Sequence, residues 1–169
     1  TDHIERFTED GILLKSGKKL EADIIVTATG LELVALGNAN LYVDGDKVVP
    51  SEHYSYKGMM LSEVPNMVSV IGYTNASWTL KADLTSEYTC RLINHMDANG
   101  LDYCMAENRS DTEEEAPLLD LSSGYVQRAI DKFPKQGSQA PWKVYQNYAL
   151  DLMKMRFSRV DDQHMKFGR

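Results

Sequence analysis

From Thr79 onward the apolar residues of this chain take up a helical period. Leu80, Leu84, Tyr88, Leu92 and Met96, joined by Ile93, recur every three or four positions, a spacing that places side chains on one face of an α-helix. The pattern predicts an amphipathic helix over about residues 79–99. Gly100 stands just past its end, where a left-handed backbone is wanted. A helix of that length spans roughly 30 Å. Ser77 or Thr79 is the expected N-cap.

Before the helix the pattern is that of strands. GILLK at 11–15, a turn at SGKK, and KLEADIIVTATG at 19–30 predict a hairpin whose second strand buries Ile24–Val26. LYVDGDKVV predicts a second hairpin, because Asp44-Gly45 tolerates the positive φ of a tight turn. NMVSVIG, at 66–72 after Pro65, predicts another short buried strand ending at Gly72. Met59 and Met60 are expected to fill the core, with a substrate-pocket lining as the other reading.

Behind the helix, ENRSDTEEEAP at 107–117 is acidic and aperiodic, an exposed loop or linker. Short helical patterns follow at 122–132 and about 145–156, separated by the Pro- and Gly-punctuated loop 134–142. The first residue is Thr1, in mid-pattern, and the chain reads as a piece of something longer. Lys81 and Asp83 are expected to form a surface pair of little worth. Arg91 and His95 are expected to be solvated.

Several function classes drop out. A net charge of −7 over 169 residues leaves no basic stripe to neutralise phosphates, which argues against nucleic acid. No apolar run reaches the twenty or so residues of a membrane span, and no signal-type segment is present, so a cytoplasmic location with reduced Cys90 and Cys104 is expected. No two glycines are separated by a single residue, so the chain carries no G-x-G-x-x-G fingerprint of its own. Neither a P-loop, a G-x-S-x-G elbow, a H-E-x-x-H pair nor a C-x-x-C is found.

Two stretches carry a resemblance. LEADIIVTATGL, at 20–31, resembles the segment by which two-dinucleotide-binding-domain flavoproteins return from the NADP domain to the FAD domain. The stretch from YKGMMLSEVPN through GYTNASW to NHMDANGLD, at 56–102, closely resembles the C-terminal FAD-domain segment of bacterial flavin-dependent monooxygenases of the Baeyer–Villiger type. SGYVQRAIDKFPKQGSQAPWKVYQNY, at 123–148, is similar to the tail of that group.

The resemblance implies an α/β, partial FAD/NAD(P)-binding fold: residues 1–30 as the end of the NADP domain and the return strand, 31–105 as the C-terminal part of the FAD domain, and 106–169 as acidic linker and helical tail. It implies FAD and NADPH as cofactors, and an enzyme that inserts one oxygen atom of O2 into a ketone, sulfide or amine through a C4a-(hydro)peroxyflavin. Thr29 and Gly30, at the end of the return strand, are then expected beside the cofactor. Gly72, Tyr73, Asn75, Ala76, Ser77, Trp78 and Thr79 would present a helix N-terminus to the pyrimidine side of the flavin, where backbone N–H groups stabilise negative charge. Asn75 and Ser77 as plain helix caps, and Tyr73 and Trp78 as plain packing, remain open. The family's catalytic Arg, both glycine fingerprints and its F-x-G-x-x-x-H signature match nothing in this chain, so the catalytic residues are not among those seen. The isolated chain is expected to bind FAD weakly or not at all, to lack turnover, and to self-associate through apolar surface. Two other readings stand beside this one: a pyridine-nucleotide-dependent flavoprotein reductase, and a non-enzymatic α/β interaction module in which GYTNASW is only a cap.

Overall fold

The computed structural model describes residues 2–108, 114–119 and 121–169, so the central part of the predicted acidic loop lies outside the described residues. The contacts divide the chain into two units, Thr1–Leu31 and Glu32–Arg169.

In the first unit, Ile4–Thr8 (β1), Gly11–Leu14 (β2) and Lys19–Glu21 (β3) form an antiparallel sheet in that order. The Asp10 carboxylate ties the β1–β2 turn, accepting from the Thr8 hydroxyl at 3.1 Å and from the Lys19 ammonium. The hairpin of β2 and β3 matches the sequence pattern; β1 was not expected. The second predicted strand, by contrast, stops at Glu21. Residues 22–30 pair with no strand among the described residues, and Ile24 and Val26 are 82% and 83% exposed, against the expected burial. A β-branched run prefers an extended backbone, but it becomes a strand only when a neighbouring chain takes up its N–H and C=O groups.

The second unit is built around one helix, α1, over Trp78–Asn99. Its 22 residues span roughly 33 Å. Gly100 ends it in the left-handed conformation (φ 61°, ψ 47°), and the Leu101 N–H closes on the Met96 carbonyl at 3.0 Å. The buried stripe is Lys81, Leu84, Thr85, Tyr88 and Leu92. Leu80 and Ile93 lie outside it and are exposed.

Around α1 the elements are small. The Asp44-Gly45 turn joins Tyr42–Val43 (β4) to Asp46–Lys47 (β5), with φ of 52° and 96° as the hairpin requires. A similar turn at Lys57-Gly58 joins Ser55–Tyr56 (β6) to Met60–Leu61 (β7). Residues 66–72, predicted as a buried strand, instead run without strand pairing, held by the Ser69 N–H to the Met59 carbonyl (2.8 Å) and by Asn66 to the backbone of Cys104. Tyr103–Ala106 (β8) follows α1, and Ala116–Pro117 (β9) stands where only loop was expected. Helix α2 covers Gly124–Gln127, a shorter stretch than the pattern at 122–132, with a separate 3-10 turn at Ile130–Lys132. Lys135–Gln136 (β10) pairs with β9, Tyr148–Arg156 forms α3, and Met165–Gly168 (β11) pairs antiparallel with β8.

The main core joins Leu84, Tyr88 and Leu92 of α1 to Met155 of α3, Cys104 and Ala106 of β8, Met165 of β11, Trp142, Tyr56 and the two methionines Met59 and Met60. Both methionines are core residues, as expected. Trp142 is the hub, with the rings of Tyr54, Tyr56 and His164 edge-on at 6.2, 5.6 and 5.7 Å. Among the described residues no helix is long and apolar enough to cross a membrane.

Candidate functional site

In the second unit, the segment that leads into α1 borders an apolar cavity of about 460 Å³. Leu33 and Val34, Met60 and Leu61, and Tyr125 and Phe133 are among its lining residues. Gly72, Thr74 and Trp78 bring the predicted corner to its wall. The Trp78 indole lies on Gly72, in space that any Cβ there would occupy.

The corner divides its residues between two tasks. Tyr73 is buried and turns into the protein, where its hydroxyl donates to Asp151 Oδ2 at 2.8 Å; it does not line the cavity, against the expectation that it walls a ring. The Thr74 N–H and hydroxyl both donate to Gln146 Oε1, at 2.9 and 3.1 Å. Asn75 donates through Nδ2 to the Gln146 carbonyl at 3.0 Å, so its side chain neither caps α1 nor faces the cavity. Ser77 occupies the N-cap position without a side-chain capping bond, its hydroxyl engaged with that of Thr79 at 2.7 Å. No side chain therefore caps the first turn of α1, whose positive end is left to other acceptors. Ala76 and Thr79 are exposed beside it. Thr29 and Gly30 belong to the first unit, where both are exposed and Gly30 takes φ 83°.

Behind the corner lies a buried ionic cluster. Lys81, expected on the surface with Asp83, is instead paired with Asp151 at 2.8 Å, with side-chain exposures of only 3% and 6%. Its ammonium also donates to the Lys57 carbonyl at 3.2 Å and approaches Met155 Sδ at 3.3 Å, so each of its three protons has a partner. Lys57 donates to Tyr88 Oη and Ser158 Oγ, both at 3.1 Å, and pairs with Asp162 at 3.3 Å. Tyr56 donates to Asp162 at 2.7 Å. Burial lowers the Lys57 pKa, with Asp162 opposing. Burial likewise raises the hydroxyl pKa of Tyr56 and Tyr73, and pushes Tyr88 up to about 12. A second cavity of about 490 Å³, lined by Lys57, Asp151, Met155, Asp162 and His164 among others, opens onto this cluster.

Two more expectations are corrected here. Arg91 is not solvated but donates to the carbonyls of Ser158 (2.9 Å) and Met155, and His95 packs on Phe167 with ring centroids 5.1 Å apart. Cys90 is an exposed thiol and Cys104 a buried one.

Gln146 and Asp151 are the site residues that sequence reasoning missed. Lys81 did carry a signal: it sits three residues before Leu84 and seven before Tyr88, hence on the buried stripe. A cation placed there needs an anion to meet it. Asp151 itself, in the first turns of α3, looks like any surface acid.

Comparison with known proteins places the chain. Across its length it is homologous to the C-terminal part of FAD-containing monooxygenases. It is 51% identical over 169 residues to the FAD-containing monooxygenase EthA of Mycobacterium tuberculosis (strain ATCC 25618 / H37Rv), covering 100% of this chain and 35% of that protein. It is 50% identical over 168 residues to the probable FAD-binding monooxygenase AlmA of Acinetobacter sp, covering 99% of this chain and 34% of the relative. The putative FAD-containing monooxygenase MymA of Mycobacterium tuberculosis (strain ATCC 25618 / H37Rv) is 46% identical over 169 residues, with 99% and 34% covered. The chain thus spans about a third of the length of these relatives. No family model matches it.

Proposed function

We propose that this chain is the C-terminal part of an FAD- and NADPH-dependent monooxygenase that transfers one oxygen atom of O2 to a ketone, sulfide or amine. The observation that carries the reading is identity near 50% over the whole chain to several FAD-containing monooxygenases. The assignment of residues 1–30 to the return from an NADP domain, of 31–105 to the FAD domain and of 106–169 to linker and tail belongs to the same proposal, as does a cytoplasmic location. So does the role of Thr29 and Gly30 beside the cofactor.

The residues present fit a flavin. The corner offers an apolar wall that includes the Trp78 ring packed on Gly72, and a helix N-terminus that no side chain caps. When bound, FAD supplies the redox and oxygen chemistry. The residues of this chain orient and shield it. The first turn of α1 would hold the negatively charged edge of the ring, where its N–H groups and dipole would favour that charge by about 0.3–1 kcal/mol, more when water is excluded. Gly72 lets the Trp78 ring pack against the backbone. Trp78, with Met60, Leu61 and Val70, gives the cavity an apolar lining that would exclude water around a bound ring.

The test is made on the full-length protein. Expected are a visible flavin spectrum, and NADPH-dependent O2 uptake stimulated by ketones or thioethers and not by disulfides. Stimulation by disulfides alone would favour the flavoprotein reductase. A colourless full-length protein would leave the non-enzymatic module.

A further inference from the structure

Gly72 and Thr74 face the apolar cavity, while Tyr73 between them is turned into the protein. The placement of the cavity wall is therefore set by what holds Tyr73. That is one atom of the tail, Asp151 Oδ2, which accepts from Tyr73 and from Lys81 at 2.8 Å each. Lys81 lies in the first turn of α1, so a single carboxylate oxygen fixes both the loop and the start of the helix. Gln146 adds a clamp of three bonds, two to Thr74 and one to Asn75. The clamp is itself held rigid, because Asn147 caps α3 by accepting from the Leu150 N–H at 3.1 Å.

From this geometry we infer that Asp151 and Gln146 are positioning residues of the cofactor corner: they set the angle and depth at which the corner loop and the N-terminus of α1 would meet the flavin. The inference rests on the proposed flavin site. It adds that Gln146 and Asp151, which do not themselves line the cavity, tune the affinity and potential of the cofactor.

The experiment uses the flavin-loaded full-length protein and four changes. Tyr73→Phe and Gln146→Ala each cut anchors. The double change Lys81→Met with Asp151→Leu removes the ion pair without leaving a buried charge alone, and deprives Tyr73 of its acceptor. Arg156→Ala, on the same helix but paired with the half-exposed Glu87, is the control. Expected are FAD dissociation constants raised about ten-fold in the double variant, the size of losing one or two buried hydrogen bonds, and by a smaller factor in Gln146→Ala, which loses the two exposed bonds to Thr74. A displaced reduction potential and an altered visible band should accompany them, with the apoprotein melting temperature of Gln146→Ala nearly that of wild type and the control unchanged. If the double variant does not fold, Tyr73→Phe and Gln146→Ala decide. Wild-type affinity, potential and spectrum in both would overturn the inference while leaving the flavin reading intact. A wild-type protein without flavin would overturn both.

Discussion

The Trp78 ring covers the α-carbon of Gly72 so closely that a Cβ added there would fall 2.2 Å from Trp78 Cγ and 2.8 Å from Trp78 Cβ. A χ1 change would move Cγ but not Cβ, which is fixed by the backbone, so the helix start must still shift. Gly72→Ala is expected to cost roughly 1–3 kcal/mol, the usual penalty of overpacking. Urea unfolding of the two forms measures it, and a difference below about 0.5 kcal/mol, the scale of an ordinary surface change, would show that the corner yields freely.

The Lys81–Asp151 pair makes a non-additive prediction. With both side chains almost fully buried, Lys81→Met or Asp151→Leu alone leaves a lone charge and should cost about 3–5 kcal/mol. Together they should cost far less than the sum, with Tyr73 the remaining loser. A double-mutant cycle by chemical denaturation reads the coupling, and additive single effects would contradict it.

Alkaline pH should reach Tyr56, Tyr73 and Tyr88 late. Their folded pKa values lie above the ordinary 10.0, that of Tyr88 at about 12. A raised folded pKa means that the unfolded chain gives up the proton first. The corresponding stability is therefore fully present below pH 10 and is lost as pH climbs through the folded values. Lys57 pulls the other way: its lowered pKa makes the fold gain stability as pH rises toward 10.5. Tyrosinate absorbance should show Tyr56, Tyr73 and Tyr88 ionising only with unfolding. A single transition of all nine near pH 10, with the fold intact, would contradict the burial.

The chain on its own should self-associate and hold little or no FAD. Ile24, Val26 and Leu31 of the first unit, and Trp78, Met153 and Phe157 of the second, are all more than 60% exposed; apolar groups so placed favour association. Light scattering at increasing concentration gives the mass, and the absorbance of the purified chain gives the flavin. A concentration-independent monomer, or a stoichiometric flavin band, would each count against it.

What was legible in the sequence was what is local. The extent of α1 followed from a 3.6-residue period and Gly100, and the β4–β5 turn from Asp44-Gly45. The β8–β11 and β9–β10 pairs were not legible, because the strands are only two to four residues long and their partners lie far along the chain. Segments 22–30 and 66–72 have the composition of strands, yet strand formation depends on a neighbour that composition does not reveal. At the corner, Gly72 and Trp78, which the resemblance puts beside the cofactor, line the cavity. Tyr73 and Asn75 were found too, but they serve as anchors, and the tail residues they bind gave no local sign.

Helix α1 is fastened at both ends by chain that comes much later. Asp151 meets Lys81 across 70 positions, and β11 closes on β8 just beyond Gly100. Such closures are slow, since the entropy of the intervening loop is spent before any contact rewards it. During synthesis α1 must wait, with Lys81 still hydrated, until the tail has been made. The native packing of α1 therefore depends on contacts with α3 and β11, which are made from chain translated well after it.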